Sequence, residues 1–148
     1  QEPLMWPCSA FPLQVSVEHW KAIAPTTRAI DYWNFHFSHE IFRLSPFPSR
    51  VNIFSTGKVA YDPTIGAISV HYLDERGLHR VRITLYTKLF NNNYFSEKFI
   101  VHELGHSLGL THSKSKYSVM FPFLLRGQKI TFTDEQSLLK VYQSCWRR

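Results

Sequence analysis

Several things are scarce in this chain of 148 residues: glycine occurs six times and cysteine only twice. No apolar run approaches the roughly 20 residues that cross a bilayer, so no membrane span is expected. Gln1 to Ala10 lacks a basic start followed by an apolar core, and so does not read as a signal peptide. The chain opens on Gln1 and not on Met, which predicts a processed or trimmed form. Neither Cys8 nor Cys145 has a partner at metal-ligand spacing. Two lone thiols would suit a cytosolic protein; one bridge joining the two ends would suit an exported one. No internal repeat, low-complexity tract or linker interrupts the sequence. Its length suits one domain with a core of its own, which is the organisation expected over residues 1–148.

Acidic residues are also in the minority, 11 against 17 Lys and Arg, for a net charge of +6. The basic residues are scattered from Lys21 to Arg148. They are dense only at Arg80 with Arg82, Lys114 with Lys116, and Arg147 with Arg148. No aromatic residues interleave them as in a nucleic-acid surface, so the excess reads as a solvated basic face and no nucleic-acid partner is expected.

What is present reads as one α/β unit. Leu13 to His19 alternates as a strand, with Leu13, Val15 and Val17 on one side. Pro25 and Thr26 or Thr27 offer a helix start, and Ile30, Trp33 and Phe37 recur at helical spacing after it. Arg50 to Ser55 is a short β-branched and aromatic run. Ala67 to Leu73 and Leu78 to Thr87 flank the turn-like Asp74-Glu75-Arg76-Gly77, which predicts a hairpin. Prolines 46 and 48 punctuate a loop, as does the run Asn91-Asn92-Asn93. Ser96 is a reasonable N-cap for a helix running to about Leu110, with Gly109 at its C-terminal end. Thr133-Asp134-Glu135-Gln136 reads as a capping box opening a last helix. Leu138, Leu139, Val141 and Tyr142 would form its buried face, and Arg147 and Arg148 would complement its dipole.

One stretch carries chemistry: His102-Glu103-Leu104-Gly105-His106-Ser107-Leu108-Gly109-Leu110-Thr111-His112. Histidines four apart on a helix share a face, about 6 Å apart along the axis, within reach of one tetrahedral Zn²⁺. Glu103 lies on the same turn and can reach a water at the metal's open position. Gly109 permits the sharp turn that brings His112 round as third ligand. Three protein ligands leave room for water and substrate, which is the catalytic and not the structural arrangement. The HExxHxxGxxH pattern fixes five positions over eleven residues, and a methionine follows at Ser118-Val119-Met120.

The segment from Phe99 to Pro122 resembles the matrixins, the matrix-metalloproteinase branch of the metzincin zinc peptidases. Ser113 follows the third histidine directly, where astacins carry Glu, adamalysins Asp and serralysins Pro. Met120 stands eight residues after His112, and Phe121 and Pro122 resemble the family's Met-Tyr-Pro. The stretch from Ile130 to Tyr142 is similar to the matrixin closing helix. The resemblance implies a metzincin fold: a twisted, mixed five-stranded sheet, two long helices, and a small C-terminal subdomain ending in a helix. Its upper part would span about 1–109 and its lower part about 110–148. It implies a zinc endopeptidase working on protein or peptide substrates, with one catalytic zinc on His102, His106 and His112 and Glu103 as general base. Met120 would form an apolar floor beneath the histidines. Extended peptide would pair with the free edge strand at Ile68, Ser69 and Val70. Pro122, Phe123 and Leu124 would wall the pocket beyond the scissile bond, predicting a hydrophobic preference there.

The chain also departs from the family. The middle strands lack the Gly- and Asp-rich loops of matrixin calcium sites, and Asp62, Asp74 and Glu75 are too dispersed to replace them. His71 and His79 have no third ligand nearby, so a structural zinc is not expected either. The propeptide cysteine motif is absent. A protein without those ions has reason to brace its ends by a Cys8–Cys145 bridge. The rival role for Cys8 is a thiolate that swings onto the zinc and holds the enzyme latent. A secreted or otherwise exported monomer is expected. The alternative function is an inactive metzincin-like binding or effector module, against which an intact Glu103 argues.

Overall fold

The computed structural model describes residues 5–58, 60–62, 65–87 and 97–146. The Asn91-Asn92-Asn93 loop, the Ser96 N-cap and the terminal pair Arg147 and Arg148 fall outside them. Five strands and three α-helices follow in the order β1 (Leu13–Val17), α1 (Ile23–Phe37), β2 (Phe42–Ser45), β3 (Val51–Thr56), β4 (Ala67–Leu73), β5 (His79–Tyr86), α2 (Glu97–Ser107) and α3 (Phe132–Tyr142). They form an α/β fold around one mixed sheet of order β2-β1-β3-β5-β4. The β1–β2, β1–β3 and β3–β5 pairs are parallel, while β4 runs antiparallel to β5 at the edge.

The sheet buries one face. Leu13, Val15, Val51, Ile53, Val81 and Ile83 project into a core that Ile30 and Trp33 of α1 and Ile100 and Leu104 of α2 close from the other side. Trp33 is fully buried, and its indole N–H donates to the Val101 carbonyl at 3.0 Å, so the two helices are joined by a satisfied polar contact as well as by packing. No residue of β4 is fully buried, as befits an edge strand.

Most expected elements are present, with shifted ends. The first strand stops at Val17, and a 3₁₀ turn over Trp20–Ala22 leads into α1 at Ile23. Pro25 is therefore the third helical residue and not the start, still within the first turn, where its missing N–H is not needed. Strand β2 has no counterpart in the sequence reading. It is short, and Asn34 of α1 holds it in place. The Asn34 carboxamide oxygen accepts from the N–H groups of Ile41 and Phe42, and its NH₂ donates to the Phe42 carbonyl. The expected hairpin forms, with Gly77 in a left-handed conformation at φ 76°.

The N-cap of α3 lies two residues before the expected Thr133. Thr131 is the N-cap; its hydroxyl accepts from the Asp134 N–H, and Asp134 accepts from the Thr131 N–H. Leu138 and Tyr142, four apart on one helix face, are buried as expected, whereas Val141 is 40% exposed.

Candidate metal centre and cleft

Helix α2 presents His102 and His106 one turn apart. The His102 Nδ1–H donates to the Val119 carbonyl at 2.6 Å, and the His106 Nδ1–H donates to the Leu110 carbonyl at 2.8 Å. A carbonyl can only accept, so Nδ1 carries the proton in each neutral ring. Each ring then turns a bare Nε2 toward the other, 3.1 Å apart. Two such lone pairs repel unless a cation lies between them. Four-coordinate zinc with bonds of about 2.0–2.1 Å sets neighbouring ligand atoms about 3.3 Å apart, close to the separation found. Burial lowers the pKa of both histidines, that of His106 to about 4, and so keeps them in the neutral form a metal needs.

Gly109, at φ 104°, turns the chain sharply after α2 and brings His112 back toward the pair. Ligand atoms of the three histidines all lie within 4.8 Å of one another, and among the described residues this is the one such group of three. The residues present therefore fit a zinc ion.

Glu103 is only 4% exposed, and an Oε2 lies 4.0 Å from His102 Nε2. Burial raises its pKa to about 8. A dication among the histidines opposes that shift, since it favours the ionised carboxylate beside it.

Met120 is fully buried beneath α2. A Cβ on Gly105 would collide with its Sδ, so the absence of a side chain at 105 is what lets the methionine approach the metal helix. The turn that carries Met120 is tied to α3. The Ser118 hydroxyl donates to the Asp134 carboxylate at 2.6 Å and accepts from the Met120 N–H at 2.9 Å. Asp134 thus serves the α3 cap and the methionine turn together.

A cleft of about 800 Å³ runs over the histidines and Glu103. Ile68, Ser69 and Val70 of β4 and Pro122, Phe123 and Leu124 also line it. Phe123 is largely exposed, so at this position packing into the core does not compete with a role in the cleft. Cys8 and Cys145 lie away from the cleft, bonded to each other.

The sequence reading took His71 and His79 for ordinary polar residues and overlooked Trp6. In the structure His71 Nε2–H donates to the His106 carbonyl at 3.0 Å, and Trp6 Nε1–H donates to the neighbouring Ser107 carbonyl at 2.6 Å. The hairpin register carried a signal for the first: His71 faces Val81 and Leu73 faces His79, so His71 and His79 are diagonal neighbours on one face. Nothing in the sequence around Trp6 marks its partner.

A mixed α/β sheet with an edge strand, a three-histidine centre with two of its histidines on one helix, and a buried carboxyl define the class, a metal-dependent peptidase of the HExxH kind. The model of the matrixin family matches residues 18–143, and the chain belongs to the matrixins. A search of curated proteins returns no match. Membership of this family carries metallopeptidase chemistry in general terms, zinc as the metal and peptides as the substrate class.

Proposed function

We propose that this chain is an active zinc-dependent endopeptidase that cleaves extended peptides in the cleft below β4, with residues 1–148 acting as one catalytic domain. The observation that carries this reading is the pair of bare Nε2 atoms 3.1 Å apart, with His112 and the Glu103 carboxyl beside them on the cleft floor. When bound, zinc supplies Lewis acidity, which polarises the scissile carbonyl and acidifies water.

The chain's own residues do the rest. The outer edge of β4, which pairs with no strand among the described residues, pairs with the peptide main chain and holds it extended across the histidines. The Glu103 carboxylate takes a proton from the attacking water and returns it to the leaving amine. Burial alone would keep the carboxyl protonated, and a dication held by the histidines would favour the ionised form that accepts the proton. Pro122, Phe123 and Leu124 offer an apolar wall to the side chain that follows the scissile bond. The methionine at 120 supports the histidines from below. The Cys8–Cys145 bridge and the secretion typical of matrixins support an exported protein.

Digestion of a peptide library read by mass spectrometry tests this proposal. The expected result is cleavage before hydrophobic residues, abolished by a zinc chelator and restored by added zinc. Cleavage that continues in the chelator, or before charged residues only, would overturn it.

A further inference from the structure

Three successive carbonyls at the end of α2 accept hydrogen bonds from side chains that come from three distant parts of the chain. The His106 carbonyl accepts from His71 of β4, the Ser107 carbonyl from Trp6, and the Leu108 carbonyl from the Tyr142 hydroxyl of α3 at 2.8 Å. A helix end leaves its last carbonyls without i+4 partners; the His106 carbonyl keeps a tighter bond from the Gly109 N–H at 3.0 Å, and the His71 bond is added to it. It is the choice of caps that is informative. His71 belongs to the strand that lines the cleft, and His106 is a candidate metal ligand.

The ring contacts behind His71 fix its orientation. Its Nε2 carries the proton, because the His106 carbonyl can only accept. Its Nδ1 faces His79 Nε2 at 3.2 Å, so in the neutral pair the His79 Nε2–H donates to it. His79 in turn stacks on the Trp6 indole, with centroids 3.8 Å apart and planes at 13°. Trp6 is only 4% exposed and lies two residues before the bridged Cys8. The chain of contacts thus runs from the disulfide-tethered N-terminal segment through two imidazoles to the backbone of a metal ligand.

We infer that His71 is a positioning residue: its bond to the His106 carbonyl fixes the substrate-side edge strand in register with the metal ligands, and Trp6 braces that bond through His79. This inference rests on the metallopeptidase reading of the site. The bond sets the distance between the main-chain groups of β4 that would hold a peptide and the histidines beneath the scissile bond. Without it, a peptide can still pair with β4, but its carbonyl is held off the productive position. The loss is then expected in kcat more than in KM.

A pair of amide variants separates this role from simple structural support. The longer side chain of His71→Gln can place its NH₂ where Nε2–H stands. The shorter His71→Asn reaches only the level of Nδ1 and leaves the His106 carbonyl with the Gly109 N–H alone, its link to β4 lost. Zinc affinity is measured by chelator competition, alongside kcat and KM on a peptide the wild type cleaves. The expected result for His71→Asn is about tenfold weaker zinc binding with kcat reduced at nearly unchanged KM, and for His71→Gln values within about twofold of wild type. Equal behaviour of the two variants in both measurements would overturn the inference. His79→Phe keeps a ring to stack on Trp6 but removes the donor to His71. A smaller loss of zinc affinity than in His71→Asn is expected, and wild-type affinity would remove His79 and Trp6 from the brace. A wild-type chain that binds no zinc would instead overturn the reading of the site itself, so the two failures are distinct.

Discussion

At the residue scale, the candidate metal centre depends on protons placed away from it. His102 and His106 each give their Nδ1–H to a carbonyl, of Val119 and of Leu110, and this leaves both Nε2 atoms free and aimed at one point. Glu103 sits buried beside them, its Oε2 4.0 Å from His102 Nε2. Replacing Glu103 by Ala should leave zinc content and fold intact while lowering turnover by about 10²–10⁴, the usual cost of losing a general base. Elemental analysis together with single-turnover kinetics checks this, and a variant that cleaves like wild type would remove Glu103 from its role. Gly105→Ala is expected to destabilise the protein by about 1–3 kcal/mol, because the added methyl displaces the Met120 side chain in a close-packed site. Denaturant unfolding of the two proteins measures it. His102, Glu103, His106 and His112 were legible in the sequence because their geometry follows from one helix and one glycine turn. The fit of Met120 against Gly105 was not. It joins residues 15 apart through a turn whose path is set by the Ser118–Asp134 contact.

At the scale of elements, propensity and pattern located the long pieces and missed what depends on tertiary contact. The β4–β5 hairpin was legible because its turn residues and alternation agree. Strand β2 was not, since it is held by the carboxamide of Asn34 rather than by a pattern of its own. The start of α3 was misplaced by two residues, because both Thr131 and Thr133 can cap a helix, and the Asp134 carboxylate favours the first by closing a capping box with Thr131 while accepting from Ser118. The hairpin turn carries a titratable brace. The Asp74 carboxylate accepts from the Arg80 guanidinium at 2.6 Å and from the N–H groups of Leu78 and Arg76. The Arg80 bond first, and then these backbone donors, lower its pKa to about 2. An unfolded Asp titrates near 3.9. Because the folded value is depressed, the contribution is complete above about pH 4 and is lost as pH falls through about 2. Thermal melts of wild type should therefore show a decline over that window that is shallower in Asp74→Asn. Parallel declines in the two proteins would show that Asp74 contributes nothing to it.

At the scale of the whole molecule, the disulfide between Cys8 and Cys145 ties the N-terminal segment to the residues just after α3 across 137 positions. The bridge sits beside an aromatic cluster in which Tyr142 and Trp146 stack at 5.0 Å and Phe11 packs edge-on against both. Closing a loop of this length stabilises by about 5 kcal/mol in the chain-entropy model, which is an upper bound where the unfolded chain keeps structure. Cys8→Ser should accordingly lower the unfolding midpoint, and a reductant should lower that of wild type to match. Equal midpoints for oxidised wild type and Cys8→Ser would contradict the brace. The pairing was only one of two readings open to the sequence, since residues so far apart say nothing of each other until the fold brings both ends together. The proposed function rests on a single catalytic zinc held by His102, His106 and His112. Titrating zinc into the metal-free protein while following peptide cleavage tests it most directly. Activity that rises linearly and breaks at one equivalent per chain is the predicted result; no recovery of activity, or a break at two equivalents, would contradict it.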